Sequence, residues 1–459
     1  MTSAHVLRSP ATAAPPLEYL FAGMSRRIVR VHSGPHKRPR GKPPEEGRHA
    51  RSTVFRTLVL LVAVVLGVVG SGCEPALPRP VAPPTASPAS VAPLVIGAIL
   101  GVANDAGPDG WQRLDAAQLA VELVNRRGGV VLPSGERRPL ELAVYDDAGQ
   151  PDRAEPAFRR LVADGVLAVV GPSDPASAAV VRPAAEAAGV PLIALDGASA
   201  GEAASWRWTF ALAVPPDEAL AATVDFFAAS GVDRFAWLAP RTMEAASVRR
   251  SLIRLANGAN MQVSGEELYA PGDEQQVQRL ARLMAAEPRV ILAWPRDAHE
   301  AAAIAREAAK VPSLVPVFLG PAAASPTTLP LAGDAAAVVR TVTLRLPVAD
   351  DLWDHDPLTP VIRDYRREIQ ARTGRPPTPE AARAWDAVRL LVANVERAPA
   401  GTRGSALPTR AAVRDGLEAT AEYVGASGLI AFGSRRHDGL DRRALVVARS
   451  EGRRWRLPP

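Results

Sequence analysis

Few residues in this chain have the type and spacing to do chemistry. Gly197-Ala-Ser-Ala-Gly201 has the G-x-S-x-G spacing of a nucleophile elbow, which would make Ser199 an attacking hydroxyl. An elbow must turn straight into a helix, whereas Trp206-Arg-Trp-Thr-Phe210 resumes an extended pattern within a few residues. Beyond the leader only His299, His355 and His437 remain as bases, so hydrolysis is not expected and the chain reads as a non-enzyme. Gly171-Pro-Ser-Asp-Pro-Ala-Ser177 offers different chemistry. Backbone N–H groups where a loop enters a helix, together with the helix dipole, favour an anion, and Ser173 or Ser177 could add a hydroxyl. Asp174 before Pro175 also reads as an N-cap with proline at the first helical position. Asp196-Gly197-Ala198-Ser199 is a second small polar loop, whose carboxylate would attract an amine or guanidinium and repel an anion. Metal chemistry lacks its ligands: there is no HExxH, no paired cysteine and no His pair at helical spacing. The acidic run Asp350-Asp351-Leu-Trp-Asp354-His-Asp356 lacks the EF-hand pattern and glycine, and reads as a solvated loop. No P-loop is present, and no cofactor is implied.

The single cysteine, Cys73, closes a 13-residue apolar run, Thr57 to Val69, through Gly70-Ser71-Gly72. Arg51 and Arg56 precede the run, completing a secretory signal. Thr57 to Gly72 is 16 residues, short of the roughly 20 that span a bilayer. With cysteine as first mature residue, the pattern resembles a bacterial lipoprotein signal in which Cys73 receives diacylglycerol, anchoring the protein to a membrane. Residues 1–53 form a disordered or untranslated leader, 54–73 the signal and 74–93 a Pro-rich linker. That linker would extend up to roughly 60 Å as polyproline II. Residues 1–56 hold 11 Lys/Arg and 3 Asp/Glu, while the chain beyond them holds 43 basic and 45 acidic residues. The basic balance therefore belongs to the leader, and nucleic-acid binding loses its electrostatic warrant.

The elements that must position the polar loops alternate along the body. Strands are expected at 94–100, 140–145, 166–170 and 190–195, with helices at 111–127, 151–164 and 175–188 between them. A second series follows, with helices at 217–229, 243–257, 274–286 and 297–310. Its strands are at 235–238, 262–268, 290–293 and 315–319. Leu114, Ala117, Val121 and Val124 recur at helical spacing. Near-continuous apolar strands between helices imply parallel sheets covered on both faces. The fold class is α/β, with two Rossmann-like lobes; 205–214 is expected to be an extended crossover or hinge between them.

The order of these elements resembles the type I periplasmic binding proteins, in the leucine/isoleucine/valine-binding branch of ABC-transporter receptors. The likeness rests on DAAQLAVELVNRRGGV, on LELAVYDDAGQPDRAEPAFRRLVADGVLAVVGP and on AAEAAGVPLIALDGAS. Near the end it rests on ARAWDAVRLLVANVERA and YVGASGLIAFGSRRHDGLDRRALVVAR. The resemblance implies lobe 1 at 94–212 with 348–432, lobe 2 at 213–347 with 433–459, a hinge and a ligand cleft between lobes. It also implies a monomer that captures a small polar, amino-acid-like solute for an ABC permease.

By the same resemblance the loop at Ser173, Asp174 and Ser177 and the loop at Asp196, Gly197, Ala198 and Ser199 would grip the ligand, its carboxylate at residues 173–177. Asp109 and Trp111, placed in the loop after the first strand, would rim the cleft, and Trp294 or Arg296 would line its far wall. A packed Trp and a solvated Arg are the competing readings there. The family's loop serine falls on Pro175 and its threonine on Ala198. Its Tyr-Gly falls in Arg241-Thr-Met-Glu-Ala245, its acidic residue near Ala322 and a tyrosine near Arg296. Most of the amino-acid recognition set is thus absent. The alternative is a ligand-free or sensory lipoprotein of the same fold that regulates an envelope protein such as a cell-wall synthase.

Overall fold

The computed structural model describes residues 31–32, 91–102, 107–196, 205–273, 275–311, 315–399 and 407–458. Cys73, the linker to residue 90, Gly197, Ala198 and Ser199 lie outside the described residues, as does nearly all of the leader. Val31–His32 pairs parallel to the edge of the first sheet.

The first lobe runs β1 Leu94–Leu100, α1 Gly107–Arg126, β2 Leu140–Asp146, α2 Pro151–Ala163, β3 Val169–Val170, α3 Pro175–Ala188, β4 Leu192–Ala194 and β5 Thr209–Ala211. The strands are parallel and ordered β2-β1-β3-β4-β5, with Val31–His32 outside β2. Alternation along β1 explains the two-faced core. Leu94, Ile96, Ala98 and Leu100 join α1 on one face, while Ile99 meets Phe158 and Leu161 of α2 and Val181 of α3 on the other. Within the segment expected to be an extended crossover or hinge, 205–214, Thr209–Ala211 forms the fifth strand of this sheet. Its Thr-Phe-Ala is wholly buried, so packing on β4 outweighs its role as a connection.

The second lobe repeats the plan as α4 Pro216–Ala229, β6 Arg234–Pro240, α5 Met243–Gly258, β7 Gln262–Tyr269, α6 Val277–Ala285, β8 Val290–Ala293, α7 Ala298–Ala308, β9 Val317–Leu319 and β10 Val339–Leu344. Its strand order, β7-β6-β8-β9-β10, matches the first lobe position for position. The chain then returns to α1 with α8 Thr359–Thr373, α9 Pro379–Arg397 and α10 Arg410–Glu418. It ends in β11 Leu445–Glu451 and β12 Arg454–Arg456, antiparallel strands on the β10 edge.

The chain after α10 returns to the first sheet. Residues 437–439 lie along β5: Ala211 N donates to His437 O at 2.8 Å and Gly439 N to Ala211 O at 2.8 Å. The His437 ring stacks on Phe210 with centroids 4.3 Å apart, and its Nδ1 lies 2.7 Å from Thr209 O. The acidic run is a largely exposed loop, as expected, and its carboxylates are ion-paired. Asp350 pairs with Arg366, Asp351 with Arg456, Asp354 with Arg363 and Asp356 with Arg345, so its charges bind helix α8 and the sheet edge to the connection.

Candidate functional site

In a sheet of order 2-1-3-4-5 the chain leaves its central strand pair in opposite directions. Loops beyond the carboxyl ends of those two strands part there and leave a crevice, the usual ligand position in such sheets. In lobe 1 the crevice lies beyond β1 and β3, and in lobe 2 beyond β6 and β8. Two surface cavities, of about 370 and 540 Å³, lie at the opposite ends of the strands. The first is lined by Gly129, Val131 and Arg137 ahead of β2, the second by Val317 and Val339 at the starts of β9 and β10.

The lobe 1 crevice is bridged by the protein itself. Gly101 N, just past β1, donates to Ser173 Oγ, just past β3, at 3.3 Å. Gly171 makes this approach possible: its φ is +93°, and a Cβ there would lie 1.9 Å from Ile99 O. Asp174 is the N-cap of α3, its Oδ1 accepting from Ser177 N at 2.8 Å, with Pro175 next in the helix as its sequence implies. One of the N–H groups at this helix start, that of Ser177, is therefore already bonded to a carboxylate. Behind it Asp147, part of the segment that carries the family likeness but not expected in the site, is fully buried, with Oδ1 accepting from Gly149 N at 3.1 Å. Burial raises its pKa, and the nearby Asp174 charge raises it further. Asp147 Oδ2, Asp174 Oδ2 and Ser177 Oγ are buried without hydrogen-bond partners among the described residues. Asp196 follows β4 in a bend and is half-buried.

Asp109 and Trp111 are not in a loop. Helix α1 begins at Gly107 and places both in its first turn, where Trp111 is 57% exposed. The equivalent place in lobe 2, the start of α5, carries Met243, 85% exposed.

Around the lobe 2 crevice Trp294 is packed as one of the two readings had it. Its ring lies 6.1 Å from that of Trp237, and against the bare Cα of Gly320, where a Cβ would come within 2.9 Å of it. The Arg296 side chain is 41% exposed, as the solvated reading had it, and is also ion-paired. Its Nε and Nη2 donate to Glu300 Oε1 at 2.8 and 2.6 Å, and its backbone N donates to Glu300 Oε2 at 3.0 Å. Tyr269 Oη donates to Glu300 Oε2 at 3.0 Å and Gly272 N to Oε1 at 3.2 Å. Burial alone would raise the Glu300 carboxyl, but these hydrogen bonds outweigh it and hold it below its ordinary range. Asp297 caps α7 by accepting from His299 N and Glu300 N, both at 2.9 Å. Glu300 was missed in the sequence, although its spacing of four from Arg296 carried the signal. Tyr269 carried none. Among the described residues no group of three or more His, Cys, Asp or Glu side chains could hold a metal ion.

The sequence pattern of the periplasmic binding protein family matches residues 93–453. Leu/Ile/Val-binding protein BraC3 of Rhizobium johnstonii is 38% identical over 86 residues, which are 19% of this chain and 22% of that protein. Leu/Ile/Val-binding protein homolog 3 of Brucella melitensis is 36% identical over 83 residues, 18% of this chain and 21% of its own. The matched segments thus span about a fifth of each relative's length. The fold is similar to the crystal structure of a putative branched-chain amino acid ABC transporter from Rhodospirillum rubrum (TM-score 0.64, 23% identity, 80% of this chain and 100% of that one). It is also similar to a leucine binding protein, LivK, from Thermotoga maritima (TM-score 0.65, 20% identity, 80% and 98%). With two lobes of matching strand order and a crevice at the centre of each, this chain belongs to the periplasmic binding protein family and has its type I fold.

Proposed function

We propose that the protein is an extracytoplasmic receptor that captures a small polar solute between its lobes and delivers it to an ABC permease. The supporting observation is the repeated strand order, which gives each lobe a crevice edged with polar groups. The names of the Rhizobium and Brucella relatives point to amino acids, branched-chain ones first. Closure would turn about residues 212–213, 347–348 and 432–433, and a ligand drives it only through its higher affinity for the closed state. In this reading Cys73 carries the lipid that holds the receptor to the membrane, and it acts as a monomer.

The same-fold regulator of an envelope protein is the second reading. The observation favouring it is the self-bonded lobe 1 crevice, where Ser173 and Asp174 are engaged by Gly101 and Ser177. A thermal-shift panel of amino acids, amides, small carboxylates and polyamines on the purified protein separates the two. A ligand at about 100 times its Kd adds roughly 2.7 kcal/mol, a rise of several degrees. One such rise supports the receptor; a flat panel moves the regulator to first place.

A further inference from the structure

We infer that the ligand's carboxylate is held in lobe 2, by Arg241 and Arg296, and not at the helix terminus of lobe 1. This rests on the solute-capture reading and specifies its chemistry. The two crevices can be compared residue by residue. In lobe 1 the β1–β3 register pairs Gly97 with Val169 and, carried on, sets Gly101 level with Ser173, where the hydrogen bond is found. In lobe 2 the β6–β8 register pairs Phe235 with Val290 and Leu238 with Ala293 and, carried on, sets Arg241 level with Arg296. The N-caps Asp174 and Asp297 each follow directly, so the two pairs are structural equivalents. One crevice is closed by a neutral hydrogen bond; the other carries two guanidinium groups from neighbouring strand ends, which lie about 4.8 Å apart.

Glu300 balances the Arg296 charge, which leaves the Arg241 guanidinium uncompensated among the described residues, and a carboxylate matches the planar guanidinium fork. Arg296 is held for that task. Glu300 engages its Nε and Nη2, leaving Nη1 with no hydrogen bond among the described residues, and the side chain is 41% exposed. The Arg241 side chain is exposed and makes no ion pair among the described residues. Both lobes cap the helix here with an aspartate and bury an acid behind it, Asp174 and Asp147 in lobe 1, Asp297 and Glu300 in lobe 2, but the crevice pair in lobe 1 is Gly101 and Ser173, so an added carboxylate there meets acids with no guanidinium at those positions. The solute class is therefore a carboxylate whose other end, amine-bearing or neutral, faces lobe 1.

The test uses the purified protein with L-leucine, L-glutamate, 4-aminobutyrate, glutarate and L-leucinamide in thermal-shift assays, followed by calorimetric titration of each probe that binds. The expected result is binding of at least one carboxylate probe, none of L-leucinamide, and at least a tenfold rise in Kd in both R241Q and R296Q. R296K, which keeps the charge but not the fork, should fall between. Should R296Q fail to fold, R241Q, at an exposed position, decides. A carboxylate that binds both variants as it binds the parent, or L-leucinamide binding as tightly as L-leucine, overturns the inference and leaves solute capture standing. A flat panel overturns both.

Discussion

Asp174 and Asp297 hold equivalent places in the two lobes and do the same local work, each capping the helix that leaves the central strand pair. Replacing Asp174 with alanine removes the acceptor for Ser177 N and should cost about 1 kcal/mol, whereas asparagine, an equally good cap, should be nearly neutral. Urea unfolding of both variants measures this. The residues behind the caps differ. Glu300 collects bonds from Arg296, Tyr269 and Gly272, and Glu300→Gln should cost about 2 kcal/mol, less than a fully buried pair because Arg296 is 41% exposed. The Glu300 carboxyl is lowered in the folded protein, so its contribution is complete above its ordinary 4.5 and is lost as the pH falls through the lowered value. The gap between parent and Glu300→Gln should therefore close in acid, read from melting curves at pH 7 and pH 3. The capping role of Asp174 was legible from the Asp-Pro pair alone. The Arg296–Glu300 pair was legible in principle from helical spacing. Tyr269 was not, because its partner Glu300 comes from an element distant in sequence.

At the scale of the element, periodicity located the helices and strands from β1 to β9 other than β5, with α3 and β1 read at the bounds observed, and none of β10–β12 or α8–α10. What periodicity misassigned was context. Thr209–Ala211 looks the same whether it bridges lobes or completes a sheet, and only burial against β4 decides. Trp111 opens the helix expected at 111–127, whereas Gly107 to Gly110, Asp109 among them, show no helical pattern, so the early start of α1 left no mark. Gly171 is the tightest point: alanine there meets a backbone carbonyl and an unfavourable positive φ, and should cost about 3 kcal/mol. Loss of the Gly101–Ser173 bridge should accompany it, visible as faster amide exchange at Gly101. Asp438, on the segment paired with β5, has its carboxyl pushed up to about 6 by burial, with Arg436 opposing and Glu218 adding to the rise. A raised carboxyl favours the folded state while protonated, so this contribution fades as the pH rises from the ordinary 3.8 through 6. Asp438→Asn should therefore raise the melting temperature at pH 8 and change it little at pH 4.5.

For the whole molecule, the matching strand orders make each lobe a template for reading the other. The shared plan was visible in the sequence as two series of alternating elements. The opposed character of the two crevices was not, because it depends on the register that sets Gly101 beside Ser173 and Arg241 beside Arg296. A bound solute should shrink the molecule by drawing the lobes together, and small-angle scattering with and without a thermal-shift hit should show a smaller radius of gyration. An unchanged radius would mean that capture does not close the lobes.

The way each lobe is finished also governs how the chain can fold. Strand β11 completes the second sheet by pairing with β10, and α9 completes the first core by packing on α1, so both cores await partners made long after them. Contacts of such long sequence separation form slowly. Until Leu445–Glu451 arrives, β10 presents an unpaired edge, a template for pairing with another chain. The newly made polypeptide therefore stays open, and in need of protection from its neighbours, until Leu445–Glu451 has been synthesised.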